Sequence, residues 1–538
     1  MRYKTLCFII FLYTATLANA QSWQDTVSLI DKVLSRYADA NPGAQLAINR
    51  NGQIIYSSAR GMADLEHNVP LTKTSKIEAG SVSKQFTAAS ILLLEQQGKL
   101  SMNDNVRKYV PEVPDYGYTI TLQHLMNHTS GLKDWGSIAD IAGWPRGSKA
   151  YANNDALQII SRQQNLNNKP GDEFIYSNSN YNLLAIIVDR ASGTSLAEFS
   201  KKYLFEPAGM KNTEWRDNYQ RVVPNRAIAY GKTGNTYFTN MPNENAYGNG
   251  GLLTTAEDLL IWNNYYLNGR LGTPSIFSKQ IATTPFNNGK RNFYAAGLFV
   301  DSTNGWASIT HSGATAGYRS NLDYFPQLGI SIAWLSNTGQ FDMGDIPSAV
   351  RNLIVKNIRA ALPNTAPTLQ IDNKNFFPYL GTYREAKTGN GMRVFMENNE
   401  LFIQPHVKLN PLTANAVSLG RGRVEFKNAK PRLAWFINGT DTLIYSGVDS
   451  AQLSPQNLQD YAGSYTSNET ESKGDVTEKE GKLFIKLRGN DAELKPVYKD
   501  GFSVLGFDLF FERDKKGKVS KMFISIPRAR KVGFIKMK

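Results

Sequence analysis

The chain has 538 residues, a formal net charge of +14, 41% hydrophobic and 20% charged residues, proportions ordinary for a soluble globular protein. That length is more than one hydrophobic core serves, so two to four domains are expected. The one cysteine is Cys7, which excludes a disulfide framework.

Arg2 and Lys4 precede an apolar run from Leu6 to Leu17 and the small residues Ala18-Asn19-Ala20. This is the layout of a secretory signal over residues 1–20, cleaved before Gln21, and the run is too short for a membrane anchor. Cys7 lies at the start of the run, so it is not read as a lipid site, and it leaves with the signal. Removal of Arg2 and Lys4 leaves +12. The expected location is periplasmic or secreted.

Trp23–Ala38 reads as an amphipathic helix, with Val27, Ile30, Leu34 and Tyr37 on one stripe. Ala44–Asn49 and Gln53–Ser58 read as strands joined by Asn51-Gly52, a strong hairpin signal. Ile77–Leu100 then places Ser81 and Lys84 three residues apart at the mouth of a helix that is apolar nearly all round, ending at Gly98. A hydroxyl and an amine on one face of a buried helix are poorly explained by packing, so the chemistry is expected here. Further helices are expected over Lys149–Gln164, Tyr181–Ala191, Ser195–Phe205, Ala256–Leu267 and Ile346–Leu362. Strands are expected over Tyr294–Asp301, Ala307–His311, Arg319–Phe325 and Ile330–Leu335. A hairpin in front, strands behind and helices between predict one mixed sheet, an α+β catalytic domain over 21–362.

Pro363-Asn364-Thr365-Ala366-Pro367 opens a linker, 363–370, and a repeat follows it. Gly381-Thr382-Tyr383 precedes Leu401-Phe402-Ile403 at the separation by which Gly463-Ser464-Tyr465 precedes Leu483-Phe484-Ile485. Two small antiparallel barrels or sandwiches are expected, over 371–450 and 451–538. Basic residues gather in this last third, among them Lys515, Lys516, Lys518, Arg528, Arg530 and Lys531. They alternate with strand-type residues and accompany no nucleic-acid motif, so a solvated basic face is expected, with peripheral attraction to an anionic cell envelope as the lesser reading. Oligomeric state is not legible.

Ser-x-x-Lys alone is weak, since residue frequencies give about two chance matches in such a chain. The second match, Ser130-Gly131-Leu132-Lys133, has glycine beside the serine and no helical turn to hold the pair. Tyr-x-Asn occurs at Tyr151, Tyr176, Tyr247 and Tyr266. Context selects Tyr176-Ser177-Asn178, on a connection between the Pro170-Gly171 break and a helix. The other three are expected to be turn and helix-surface residues. Of the five histidines, only His124 and His128 stand at i, i+4, and they lack the neighbouring glutamate of a zinc site. No metal or cofactor is expected, and His128 is read as a structural hydrogen-bonder.

These motifs, in this order, resemble the class C β-lactamase-related hydrolases of the penicillin-binding protein and β-lactamase superfamily. The resemblance covers roughly Ala44–Leu362 and extends to His128-Thr129-Ser130-Gly131-Leu132 and Gly250-Gly251-Leu252. It implies a third motif, Lys-Thr-Gly or His-x-Gly, on a strand lining the site. His311-Ser312-Gly313-Ala314 is preferred to Lys232-Thr233-Gly234, in a polar turn, and to Lys387-Thr388-Gly389, in the first repeat. By resemblance, Ser81 is the nucleophile, with Lys84 and Tyr176 sharing its proton, and either is open as primary base. Asn178 holds Lys84 and the substrate amide, the N–H groups of Ser81 and Ala314 form an oxyanion hole, and Gly313 lets substrate approach the strand. His311 in place of lysine removes a permanent cation, which argues against β-lactams and D-alanyl-D-alanine termini as main substrates unless another cation, such as Arg319, substitutes.

A His-x-Gly catalytic domain followed by two barrels is similar to the arrangement of bacterial D-aminopeptidases, in which barrel loops restrict the site and select a free amino terminus. The expectation is a secreted serine acyl-hydrolase cleaving D-amino-acid peptides or amides. The alternatives are an esterase or a β-lactamase or DD-carboxypeptidase of the same fold, and, in another class, a non-catalytic envelope-binding protein.

Overall fold

The computed structural model describes residues 23–355 and 371–538, apart from 38, 273, 342–343, 405, 421, 439–440, 452–454, 488–489 and 505. The expected signal and the expected linker lie outside the described residues.

Helix α1 (Trp23–Leu34) leads into the hairpin of β1 (Ala44–Arg50) and β2 (Gln53–Arg60). Asn51 and Gly52 both take positive φ, 49° and 87°, the backbone that a tight two-residue hairpin turn needs. Helices α2 (Lys84–Gln96), α3 (Asn178–Ser192) and α4 (Ala256–Leu267) follow. Strands β3 (Phe299–Thr303), β4 (Trp306–Thr315), β5 (Tyr318–Phe325) and β6 (Ile330–Ser336) and helix α5 (Ile346–Ile354) complete the domain. The six strands form one antiparallel sheet in the order β3-β4-β5-β6-β1-β2, so the front hairpin joins the rear strands through β1 and β6.

Alternation along those strands builds two cores. Leu46 and Ile48 of β1 and Ile332 and Trp334 of β6 pack with α1 and α5. Ala47, Ala333 and Leu335, on the opposite face, join the core that surrounds α2. Phe86, Ala88, Ala89, Ile91 and Leu94 are all 0% exposed, so α2 runs through the interior as its composition predicts.

Several boundaries differ from expectation. The helix expected over Lys149–Gln164 spans Asn153–Ser161, and that over Ser195–Phe205 is an α-helix only to Ser200, followed by a π-turn over Lys201–Phe205. The strand expected from Tyr294 begins at Phe299, because Ala295–Leu298 form a tight turn closed by the Ala295 N–H to the Leu298 carbonyl. A short three-stranded sheet of Ile77–Glu78, Leu252–Thr254 and Glu214–Trp215 had no signal in the sequence, and it fixes the approach to Ser81.

The repeats are two closed eight-stranded barrels, from Gly381 to Val448 and from Gly463 to Lys536. Tyr383 and Tyr465, equivalent in the two copies, are each fully buried, and each donates its hydroxyl to the carbonyl four residues earlier, of Tyr379 and Tyr461. The first barrel is filled by side chains such as Val394, Leu401, Val417 and Phe426, as small barrels are.

The second barrel docks on the catalytic domain through polar bonds. Lys133 Nζ reaches Glu469 at 2.6 Å with both side chains buried, and Arg530 reaches Glu173 at 2.8 Å. The Arg528 carbonyl accepts the Asp134 N–H and the Asn167 side-chain amide, each at 3.0 Å. The solvated basic face expected of this region therefore needs correction. Lys515, Lys516 and Lys518 are exposed, but Arg530 is buried in an ion pair and the Lys531 ammonium caps the Ala386 carbonyl of the first barrel.

Candidate active site

Ser81 opens the domain's central helix from a turn of 3-10 helix, Gly80–Ser83. Gly80 takes φ 49°, and a side chain there would press on the Ala314 N–H group at 2.8 Å. Ahead of it Glu78 forms a fully buried pair with Arg216 at 2.8 Å, which anchors the strand leading to the serine.

Lys84 lies behind Ser81 and is 0% exposed. Its Nζ contacts Ser81 Oγ at 3.1 Å, Asn178 Oδ1 at 3.0 Å and the Asn249 carbonyl at 2.5 Å. Burial, and then the charges of Arg528 and Arg146, hold this amine well below the ordinary lysine range. A neutral amine has two hydrogens and one lone pair. Asn178 Oδ1 and the Asn249 carbonyl only accept, so they take the two hydrogens and leave the lone pair for the Ser81 hydroxyl. The geometry thus suits a base poised on a nucleophile.

Asn178 begins α3, its N–H donating to Asp134 at 2.6 Å. Tyr176 is half-buried, and its hydroxyl faces Ser81 without a well-aligned hydrogen bond. Burial raises its phenol above the usual tyrosine range, so it stays protonated. His128, fully buried with φ 56°, packs its ring against that of Tyr176 at 4.2 Å and a 36° tilt, and its Nδ1 accepts the Ser177 N–H at 3.2 Å. It is the structural hydrogen-bonder expected.

His311, Gly313 and Ala314 stand on β4. Strand β3 pairs with β4 no further than Thr310, so His311–Thr315 present an unpaired edge toward Ser81. His311 Nδ1 donates to the Ser312 carbonyl at 2.7 Å and Nε2 accepts from the Tyr294 hydroxyl at 3.0 Å. Burial, its largest cause, lowers its pKa to about 3. Both ring nitrogens are used, so His311 is a neutral wall of the site, consistent with the absence of a permanent cation at this position on the strand. Gly313 also needs a different reason. A Cβ there would sit 2.1 Å from the Ala79 carbonyl and 2.3 Å from Ser320 Oγ, so the glycine lets β4 approach the segment carrying Ser81, not substrate. Gly313→Ala is therefore expected to displace that segment and lower kcat/KM roughly 100-fold, checked by steady-state kinetics on folded protein.

Ser81, Tyr176, Asn178, His311 and Ala314 line one cavity of about 480 Å³, with Lys84 behind Ser81 and Gly313 in the strand against Ala79. Further lining residues that sequence reasoning missed or misplaced include Arg146, Phe174, Asn249, Phe299 and Arg528. Arg146 pairs with Glu244. Arg528 was placed on a solvated face, and its guanidinium stands 4.8 Å over the Tyr176 ring. Asn249 had a local signal in the adjoining Gly250-Gly251, whereas Arg528 had none.

The decoys go elsewhere. Ser130 Oγ bonds Asn180 at 2.7 Å while Lys133 pairs with Glu469. Tyr151, Tyr247 and Tyr266 are all buried, not the surface residues expected, and Tyr266 stacks on Trp262 at 5.0 Å. Lys232 is exposed in a hairpin, and Lys387 pairs with Glu173 at 2.6 Å.

A serine and a buried lysine at the head of a central helix, beside an antiparallel sheet, define a serine hydrolase of the β-lactamase fold. The Beta-lactamase family profile matches residues 30–353, and the chain belongs to that family. It is 29% identical over 385 residues to penicillin-binding protein 4* of Bacillus subtilis, covering 66% of this chain and 81% of that protein. Its fold is similar to that of the octameric penicillin-binding protein homologue of Pyrococcus abyssi, with TM-score 0.54 and 20% identity over 86% of this chain and 98% of that one. The D-stereospecific amidohydrolase of a Streptomyces species aligns with TM-score 0.52 and 20% identity over 61% of this chain and 98% of that one.

Proposed function

We propose that the protein hydrolyses amide bonds of D-amino-acid peptides through an acyl-enzyme on Ser81. The observation that carries this is the buried amine of Lys84, bonded to Ser81 Oγ and to two acceptors. Lys84 takes the hydroxyl proton as Ser81 Oγ attacks the acyl carbonyl. The oxyanion is received by the N–H groups of Ser81 and Ala314, where one donor is worth roughly 3–4 kcal/mol. Tyr176, a protonated phenol at every working pH, gives a proton to the departing amine, and water then attacks the ester carbon to release the acid. The preference for D-peptides rests on the likeness to penicillin-binding protein 4* and the amidohydrolase, and location outside the cytoplasm on the pattern of residues 1–20.

The aminopeptidase subtype draws less support. A substrate ammonium needs a carboxylate to receive it, and among the described residues lining the cavity there is none.

A fluorophosphonate probe tests the chemistry. It is expected to label the wild-type protein on the Ser81 peptide, with a rate that rises with pH as Lys84 loses its proton and shows no step near pH 6.5, because His311 titrates only at about 3. An unlabelled Ser81 would end the proposal, and turnover of L- but not D-configured peptides would end the stereochemical part.

A further inference from the structure

The last hairpin of the second barrel joins strands Val519–Ile526 and Ala529–Lys536 through Pro527-Arg528. Its main chain is fixed to the catalytic domain, since the Arg528 carbonyl accepts from Asp134 and Asn167 and the Arg530 N–H donates to Asn167 Oδ1 at 2.7 Å. The side chain of Arg528 takes no part in that docking. It is exposed, lines the cavity with Ser81, and lies over Tyr176.

The cations around the site are not equivalent. Lys84 is fully buried behind the serine and engaged by acceptors, and the Arg146 charge is met by Glu244. His311, where a lysine was the alternative, is neutral with both nitrogens bonded. Among the described residues lining the cavity, Arg528 is the cation without a carboxylate partner. A guanidinium 4.8 Å over an aromatic ring and without a carboxylate partner still offers N–H donors that can meet a carboxylate.

We propose that Arg528 is a specificity residue that binds a carboxylate of the substrate cleaved at Ser81, so that the second barrel selects peptides ending in a free acid. The proposal rests on the acyl-transfer reading of Ser81. It assigns to a separate domain the positive charge that the site strand lacks at His311. The barrel then has a function beyond covering the cavity: without it the cavity would lose its anion anchor.

The test uses the full chain carrying Ser81→Ala, so that binding is read without turnover. Calorimetry compares N-acetyl-D-alanyl-D-alanine with its C-terminal amide. The acid is expected to bind about tenfold tighter than the amide, with the difference shrinking as salt is added. Arg528→Gln is expected to bring the two affinities together, and Arg528→Glu to make the acid bind more weakly than the amide. The Arg528 backbone, not its side chain, makes the docking bonds, so these variants keep the barrel in place. An acid-to-amide ratio near one, or a ratio that Arg528→Gln leaves unmoved, would overturn the proposal. Fluorophosphonate labelling of the wild-type protein is read separately, so a failure of the Ser81 chemistry is distinguished from a failure of Arg528.

Discussion

Ser81→Ala is expected to lower kcat/KM by roughly 10^4-fold or more, and Lys84→Met by roughly 10^3-fold, with both variants folded. The two effects are not additive, because the lysine acts only through the serine. Methionine keeps most of the buried length of lysine but gives Asn178 Oδ1 and the Asn249 carbonyl no donor, which costs about 1–3 kcal/mol for each group left unpaired. Against that stands what wild-type protein loses by burying the amine. As pH falls below 10.5 the unfolded lysine binds a proton and the folded one does not, so wild-type stability declines until the lowered folded pKa is reached. Lys84→Met lacks this dependence, and denaturant midpoints of the two proteins are expected to diverge in the variant's favour from pH 10.5 toward neutrality. A Lys84→Met rate within tenfold of wild type would overturn Lys84 as the base.

The parts of the site that were legible in the sequence are those with a local cause. Ser81 and Lys84 share a helical face because they are three residues apart, and the apolar run behind them announces a buried helix. The barrels were legible because the same spacing occurs twice, from Gly381 to Leu401 and from Gly463 to Leu483. His311 was placed by the strand around it, but not its chemistry: whether a ring nitrogen meets substrate or Tyr294 depends on the turn at Ala295–Leu298. Gly313 was right as a glycine and wrong in its reason, since its neighbour is Ala79, brought there by the fold. The buried tyrosines Tyr151, Tyr247 and Tyr266 match Tyr-x-Asn as well as Tyr176 does, and only tertiary packing separates them. Arg528 was beyond reach for the same reason. Its position follows from how one barrel sits on another domain, a contact for which a single sequence carries no periodic signal.

That docking supplies the other large effect. Glu469→Ala is expected to destabilise the attachment of the second barrel by about 3–5 kcal/mol, the cost of leaving a buried charge without its partner. Lys133 is 1% exposed and its ammonium meets Glu469 Oε2 at 2.6 Å. The same carboxylate accepts the Gly533 N–H at 3.1 Å, so it ties Lys133 to the strand that leaves the Arg528 turn. Burial pulls Lys133 below the usual lysine range and Glu469 opposes that pull, so loss of the carboxylate removes the one charge that keeps the ammonium tolerable. Replacing both partners, as Lys133→Met with Glu469→Leu, removes the stranded charge and is expected to restore most of the stability. The lysine of the discarded Ser-x-x-Lys match would then prove to be the pin of the barrel that carries Arg528. Hydrogen exchange over Gly463–Lys536 reads the loosening directly, and the acid-over-amide preference is expected to fall in Glu469→Ala as Arg528 withdraws from the cavity. Unchanged exchange in Glu469→Ala would mean that Arg530–Glu173 and the main-chain bonds at Arg528 hold the barrel without it.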